Sequence, residues 1–175
     1  MKEALALALA PQEIRTFFVS FATFERRFLL QSDRVCDLLL DVIRVNRKQG
    51  RVNVHGFVFM PNQVHLLITP APNVSLEKAL QFIKGGFSYR AHKELGMRGA
   101  IWNPGFNEHR IRDDVEFAAH LRYTHMNAVK AGRVGRSEDW PYSSARLMDE
   151  IDVAPAVSNA CAKAHLIVKG RLSPA

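Results

Sequence analysis

The stretch GFVFMPNQVHLLITP, residues 56–70, leaves this chain few folds to choose from. Two apolar runs, roughly Val52–Met60 and Gln63–Thr69, meet at a Met-Pro-Asn turn and read as the strands of one tight hairpin. Side chains alternate along a strand, so Gln63, His65, Leu67 and Thr69 share one face while Val64, Leu66 and Ile68 share the other. In a strand this apolar, a glutamine and a histidine set side by side on one face require an explanation.

The flanking segments supply the rest of a sheet-and-helix domain. RTFFVSFAT (Arg15 to Thr23) alternates in part and is rich in aromatic residues, which predicts a strand. Ser32 caps a helix running to about Gly50, with Val35, Leu38, Leu39, Val42 and Val45 at helical spacing. PAPNVS is a loop, and Ser75 opens a second helix bearing Leu76, Ala79, Leu80 and Ile83. Gly85-Gly86 weaken that helix before FSYRAHKEL resumes it. GMRGAIWNPGF reads as a loop with a short extended piece leading into NEHRIR. Asp113 and Glu116 form a capping box for a helix to about Lys130, which Gly132 stops.

Strand, helix, strand, strand, helix is the order of an α+β, ferredoxin-like sandwich: an antiparallel sheet with helices on one face, plus a C-terminal helix that carries Tyr123. Residues 1–13 form an N-terminal extension, 14–149 one domain, and 150–175 a tail that packs along the surface. The start, MKEALALALAPQ, has the Ala/Leu run of a signal peptide, but the run is short and Glu3 interrupts it, so a frayed helical extension is expected.

Charge narrows the partner. Twenty-four Lys and Arg against 17 Asp and Glu leave a net +7, which favours a polyanion, nucleic acid first and an anionic membrane surface second. No apolar run reaches the ~18 residues of a membrane helix. Cys36 and Cys161 lie far apart with no CxxC or Cys/His ligand spacing, the pattern of reduced thiols in a cytoplasmic protein.

On the helix after Asp113, Phe117, Leu121 and the methyl of Thr124 face the core. Glu116, His120, Tyr123 and Asn127 stack on a different, polar stripe. From spacing alone the stripe reads more readily as a solvated helix face. Tyr89 lies in the basic stretch KGGFSYRAHK, as a DNA contact or a packing residue, and Tyr142 in DWPYSS docks the tail with Trp140.

Four segments together carry a resemblance: FMPNQVHLLITP, SLEKALQFIKGGFSYRAHKELG, WNPGFNEHRIRDDVEFAAHLRYTHMNAVKAGRV and WPYSS. In this order and spacing, from about Thr16 to Ala145, they resemble the REP-associated tyrosine transposases of the single-tyrosine HUH superfamily. The resemblance implies a His-hydrophobic-His strand whose imidazoles hold one Mg²⁺ or Mn²⁺. It also implies a helix carrying a tyrosine nucleophile, with a metal-binding amide one turn later. Transferred by position, the metal ligands are Gln63, His65 and Asn127 and the nucleophile is Tyr123, which cuts and rejoins single-stranded or REP-like hairpin DNA through a 5′-phosphotyrosine. Apart from the resemblance, His120 or Glu116, on the same helix stripe as Tyr123, is placed to assist proton transfer.

DNA contacts are expected from Lys84, Tyr89, Arg90, Lys93, Arg98, Arg110, Arg112, Arg122, Lys130 and Arg133, in a monomer or homodimer. The chain departs from the family pattern at Gln63, where histidine is expected, and at Ala128, where Asn-Pro-Val is usual. A glutamine oxygen suits a hard ion but is a weaker neutral donor than imidazole for Mn²⁺. Two alternatives remain: a DNA-binding descendant with weakened chemistry, and an RNA-binding ferredoxin-like module presenting Phe57 and Phe59 to bases.

Overall fold

The computed structural model describes residues 14–155. They run as β1 (Thr16–Ala22), α1 (Asp33–Lys48), β2 (Val52–Met60), β3 (Gln63–Pro70), α2 (Leu76–Leu95), β4 (Asn107–Ile111) and α3 (Asp114–Lys130). Cys161, the N-terminal extension and the end of the expected tail lie outside the described residues. The strands form one antiparallel sheet in the order β2-β3-β1-β4, the ferredoxin-like arrangement. Only Pro61 and Asn62 separate β2 from β3, and Met60 pairs with Gln63. Strand β4 is the NEHRI of NEHRIR, a segment to which the sequence reading assigns no element of its own. Its residues 107–110 are exposed, so no apolar alternation announces it.

Each helix starts where a side chain can accept an orphan backbone N–H. Ser32 accepts from Val35, Ser75 from Lys78 and Asp113 from Glu116. Helices α1 and α2 cover one face of the sheet, packing Leu39, Ile43, Leu80, Ile83 and Phe87 against Val19, Phe57, Phe59, Val64, Leu66 and Ile68. Each of these buried side chains contributes about 1.5–3 kcal/mol of transfer free energy. Phe57 and Phe59 are 0% and 1% exposed beneath those helices, which removes them as a base-stacking surface.

Two readings of the helices change. Val45 is exposed, and α1 buries Cys36, Leu40 and Ile43 together with Leu38, Leu39 and Val42, because its core stripe is displaced from the one that includes Val45. Helix α2 runs without a break through Gly85-Gly86. A Cβ on Gly86 would stand 3.4 Å from Val42 Cγ1, an ordinary contact, so Gly86 lies where α1 and α2 pack together.

Helix α3 lies across the other face. A bulge between Val54 and Gly56 shifts the register of β2, turning Val58 and Met60 toward α3. Leu121 seats directly over Gly56, where a Cβ would fall 2.6 Å from Leu121 Cδ1. The chain after α3 then straps the outer edge of β2. Trp140 Nε1 donates to Phe59 O (2.9 Å), Phe59 N to Tyr142 O (2.9 Å) and Ser144 N to Phe57 O (2.9 Å). The strap is locked by Asp152, whose carboxylate accepts from Val54 N (2.7 Å) and from the Arg47 guanidinium at two atoms (both 2.9 Å).

Candidate active site

The face under α3 gathers four rings. Phe18 on β1 lies parallel to His65 (centroids 5.7 Å, 13°), tilted against His120 (5.1 Å) and edge-on to Tyr123 (5.7 Å). His65 and Tyr123 also meet edge to face at 5.8 Å. The elements explain the meeting: Ser20 on β1 pairs with His65 on β3, and Phe18 with Leu67, so all share the face that α3 covers. Gln63 begins β3 two residues before His65, on that face and half-buried. Asn127 follows Tyr123 by one helical turn and is also half-buried. Tyr123 is 41% exposed, with Lys130 Nζ 5.2 Å from its ring centroid.

His65 is the unusual member. It is 5% exposed, and its Nδ1 is buried with no hydrogen-bond partner. Burial pulls its pKa down from 6.5 to about 4, so the ring is neutral at physiological pH. An uncharged imidazole with a free nitrogen is the form that ligates a metal. With amide oxygens from Gln63 and Asn127 the donor set fits Mg²⁺ or Mn²⁺. Among the described residues no group of three or more His, Cys, Asp or Glu side chains could hold an ion.

A second cluster adjoins the first. Glu116 Oε2 accepts from Arg112 N (2.9 Å) and lies 3.4 Å from His109 Nε2. His120 Nδ1 donates to Glu116 O (2.8 Å), and the His109 and His120 rings stack at 4.8 Å, 16° apart. Sequence reasoning left His109 and Phe18 without roles. The signal for both is strand parity: β4 pairs Phe18 with His109, placing them on the same face as His65.

The ten candidate DNA-contact residues do not form one surface, because the sheet separates α2 from α3. Lys84 donates to Asn103 O (3.2 Å) and Gly105 O (2.6 Å), tying down the α2–β4 loop. Arg90 is held by Glu94 and Asp41. Tyr89 and Lys93 remain exposed on α2, the ammonium 5.8 Å from the ring. Arg110 and Arg112 lie on and just after β4, and Arg122 and Lys130 on α3, all exposed. Arg133 stands over the Phe28 ring. Tyr142 donates toward Asp37 (2.9 Å), and burial raises its pKa above that of an ordinary phenol.

A sequence model of the IS200-like transposases matches residues 16–126, and the chain belongs to that family. Transposases of this family are generally metal-dependent.

Within the family, the chain is 30% identical over 133 residues to a REP-associated tyrosine transposase of Haemophilus influenzae, covering 66% of this chain and 76% of that one. It is 28% identical over 158 residues to the REP-associated tyrosine transposase of Escherichia coli K12, covering 87% and 92%. A solved REP-associated tyrosine transposase bound to a REP hairpin superposes with a TM-score of 0.64 at 26% identity, covering 91% of this chain and 94% of that one. No helix among the described residues is long and apolar enough to cross a membrane.

Proposed function

We propose that this protein cuts and rejoins single-stranded or hairpin DNA, with Tyr123 as nucleophile and Gln63, His65 and Asn127 as the seat of a divalent metal. The observation that carries the reading is His65: a neutral, buried imidazole with an unsatisfied Nδ1, in edge-to-face contact with the tyrosine. A buried nitrogen without a partner costs about 1–3 kcal/mol, a penalty that ligation would remove. The relative bound to a REP hairpin supports DNA of that shape as the partner.

The Tyr123 oxygen attacks phosphorus, forming the Oη–P bond while the P–O3′ bond breaks and a free 3′ end departs. A bound Mg²⁺ or Mn²⁺ supplies charge neutralisation at the phosphate. The exposure of Tyr123 gives DNA access to the phenol, while Phe18 and His65 beneath fix the plane of its ring. Lys130, above that ring, places positive charge where a phosphodiester would lie, and Arg122, the residue before Tyr123, is exposed on the same helix.

Gln63 supports a second reading, a DNA-binding descendant with weakened chemistry, since an amide replaces one imidazole. One experiment separates the two. Incubated with hairpin oligonucleotide and Mn²⁺, an active protein yields a covalent protein–DNA band that EDTA prevents and Tyr123→Phe abolishes, with hairpin affinity preserved. Binding without any covalent band selects the second reading, and a band that persists in Tyr123→Phe moves the nucleophile elsewhere.

A further inference from the structure

We infer that His120 is the general base that takes the proton of Tyr123, and that His109 and Glu116 are positioning residues that hold it; this rests on Tyr123 being the nucleophile. Three observations lead there. A backbone carbonyl only accepts, so the 2.8 Å contact with Glu116 O puts the proton of neutral His120 on Nδ1 and leaves the lone pair on Nε2. The ring is also clamped. Phe18 lies on one side at 5.1 Å and His109 stacks on it at 4.8 Å. Finally, His120 and Tyr123 are neighbours on the helix face, three residues apart, and both rest on the Phe18 ring.

Glu116 is the weaker candidate for the base itself. Its Oε2 already accepts from Arg112 N and faces His109 Nε2. An imidazole is also better matched than a carboxylate to proton transfer near neutral pH. The carboxylate instead stands beside the histidine pair, where its charge stabilises the imidazolium that forms. The same Glu116 oxygen closes the turn between β4 and α3, so turn and proton acceptor are built as one unit.

In the forward step the phenolic proton passes to His120 Nε2 as Oη bonds to phosphorus. The P–O3′ bond breaks, and O3′ takes a proton from solvent water. In rejoining, an incoming 3′-hydroxyl attacks phosphorus and gives its proton to water. The Oη–P bond then breaks, and the phenolate recovers its proton from Nε2.

The test measures single-turnover formation of the covalent band on a hairpin oligonucleotide with saturating Mn²⁺. His120→Ala should slow it on the order of 10²–10⁴-fold with hairpin affinity within about twofold of the parent. His109→Ala and Glu116→Gln should slow it on the order of 10–100-fold, the scale for partners that orient a reacting imidazole. Placing 2,3,5-trifluorotyrosine at 123, whose phenol ionises near neutral pH, should recover at least tenfold in His120→Ala relative to the same variant carrying tyrosine.

A slow His120→Ala that the fluorinated phenol does not rescue has lost structure and not a base, and overturns the inference. So does His120→Ala at the parental rate. In both cases the reading of Tyr123 survives, because the parent still forms a band that Tyr123→Phe lacks. A parent that forms no band overturns both.

Discussion

Replacing His65 with leucine tests the burial on which the metal seat depends. In the metal-free protein, burial lowers the His65 pKa from 6.5 to about 4, so only the unfolded chain readily takes up the proton between those values. Stability from this residue is therefore complete above about pH 6.5 and is lost as pH falls toward 4. Two and a half pH units at 1.36 kcal/mol each set the limit near 3 kcal/mol, with most of it gone by pH 4.5. Urea unfolding in EDTA across pH 4.5–7.5 reads this directly. The parent should lose about that much more stability than His65→Leu over the window. A residual slope in the variant is expected, because burial also lowers the pKa of His55 and His125. At neutral pH the variant should be no less stable than the parent, having lost the unpaired Nδ1. Mn²⁺ at 100 times its dissociation constant should add about 2.7 kcal/mol to the parent and nothing to the variant. Parallel pH profiles for the two proteins, or an NMR titration of His65 with its midpoint near 6.5, would refute the reasoning.

Gly56→Ala should cost about 1–3 kcal/mol by urea unfolding, since its Cβ meets Leu121 Cδ1 at 2.6 Å, and most of that cost should vanish in a Leu121→Ala background. An equal cost in both backgrounds removes the contact as the cause. Gln63→His should tighten Mn²⁺ binding by calorimetry at least tenfold, or about 1.4 kcal/mol, and unchanged affinity means Gln63 does not stand in for a ligand. Arg47→Met should cost about 1–3 kcal/mol by leaving Asp152 without its guanidinium, and hydrogen exchange at the Val54 amide should accelerate. An unchanged Val54 exchange rate would mean that the strap holds without this pair.

The hairpin and the three helix starts were legible because each rests on local chemistry: alternation around Pro61-Asn62, and Ser32, Ser75 and Asp113 as acceptors for orphan N–H groups. What escaped the sequence is set by distant partners. Helix α2 continues through Gly85-Gly86 with Ile83 and Phe87 anchored in the core on either side, which helix propensity does not encode. Strand β4 is an exposed edge whose pairing with β1 needs no apolar residue before Ile111. Phe57 and Phe59 look the same in the sequence whether they face bases or helices; the bulge in β2 decides it. The stripe Glu116, His120, Tyr123, Asn127 was visible from helical spacing. Its meeting with Phe18 and His109 follows only from the register of two strand pairs.

The strap on β2 has a consequence for the order in which the chain is made. Phe57 and its partner Ser144 are separated by 87 residues. At about 5–20 residues per second, the ribosome takes roughly 4–17 s to synthesise that interval. Until then the nascent hairpin shows the unpaired amides of Val54, Phe57 and Phe59 along its outer edge, ready to recruit any extended chain nearby. The sheet of this protein is thus left open on that edge for most of its own birth, and the last described stretch to emerge is the one that shuts it.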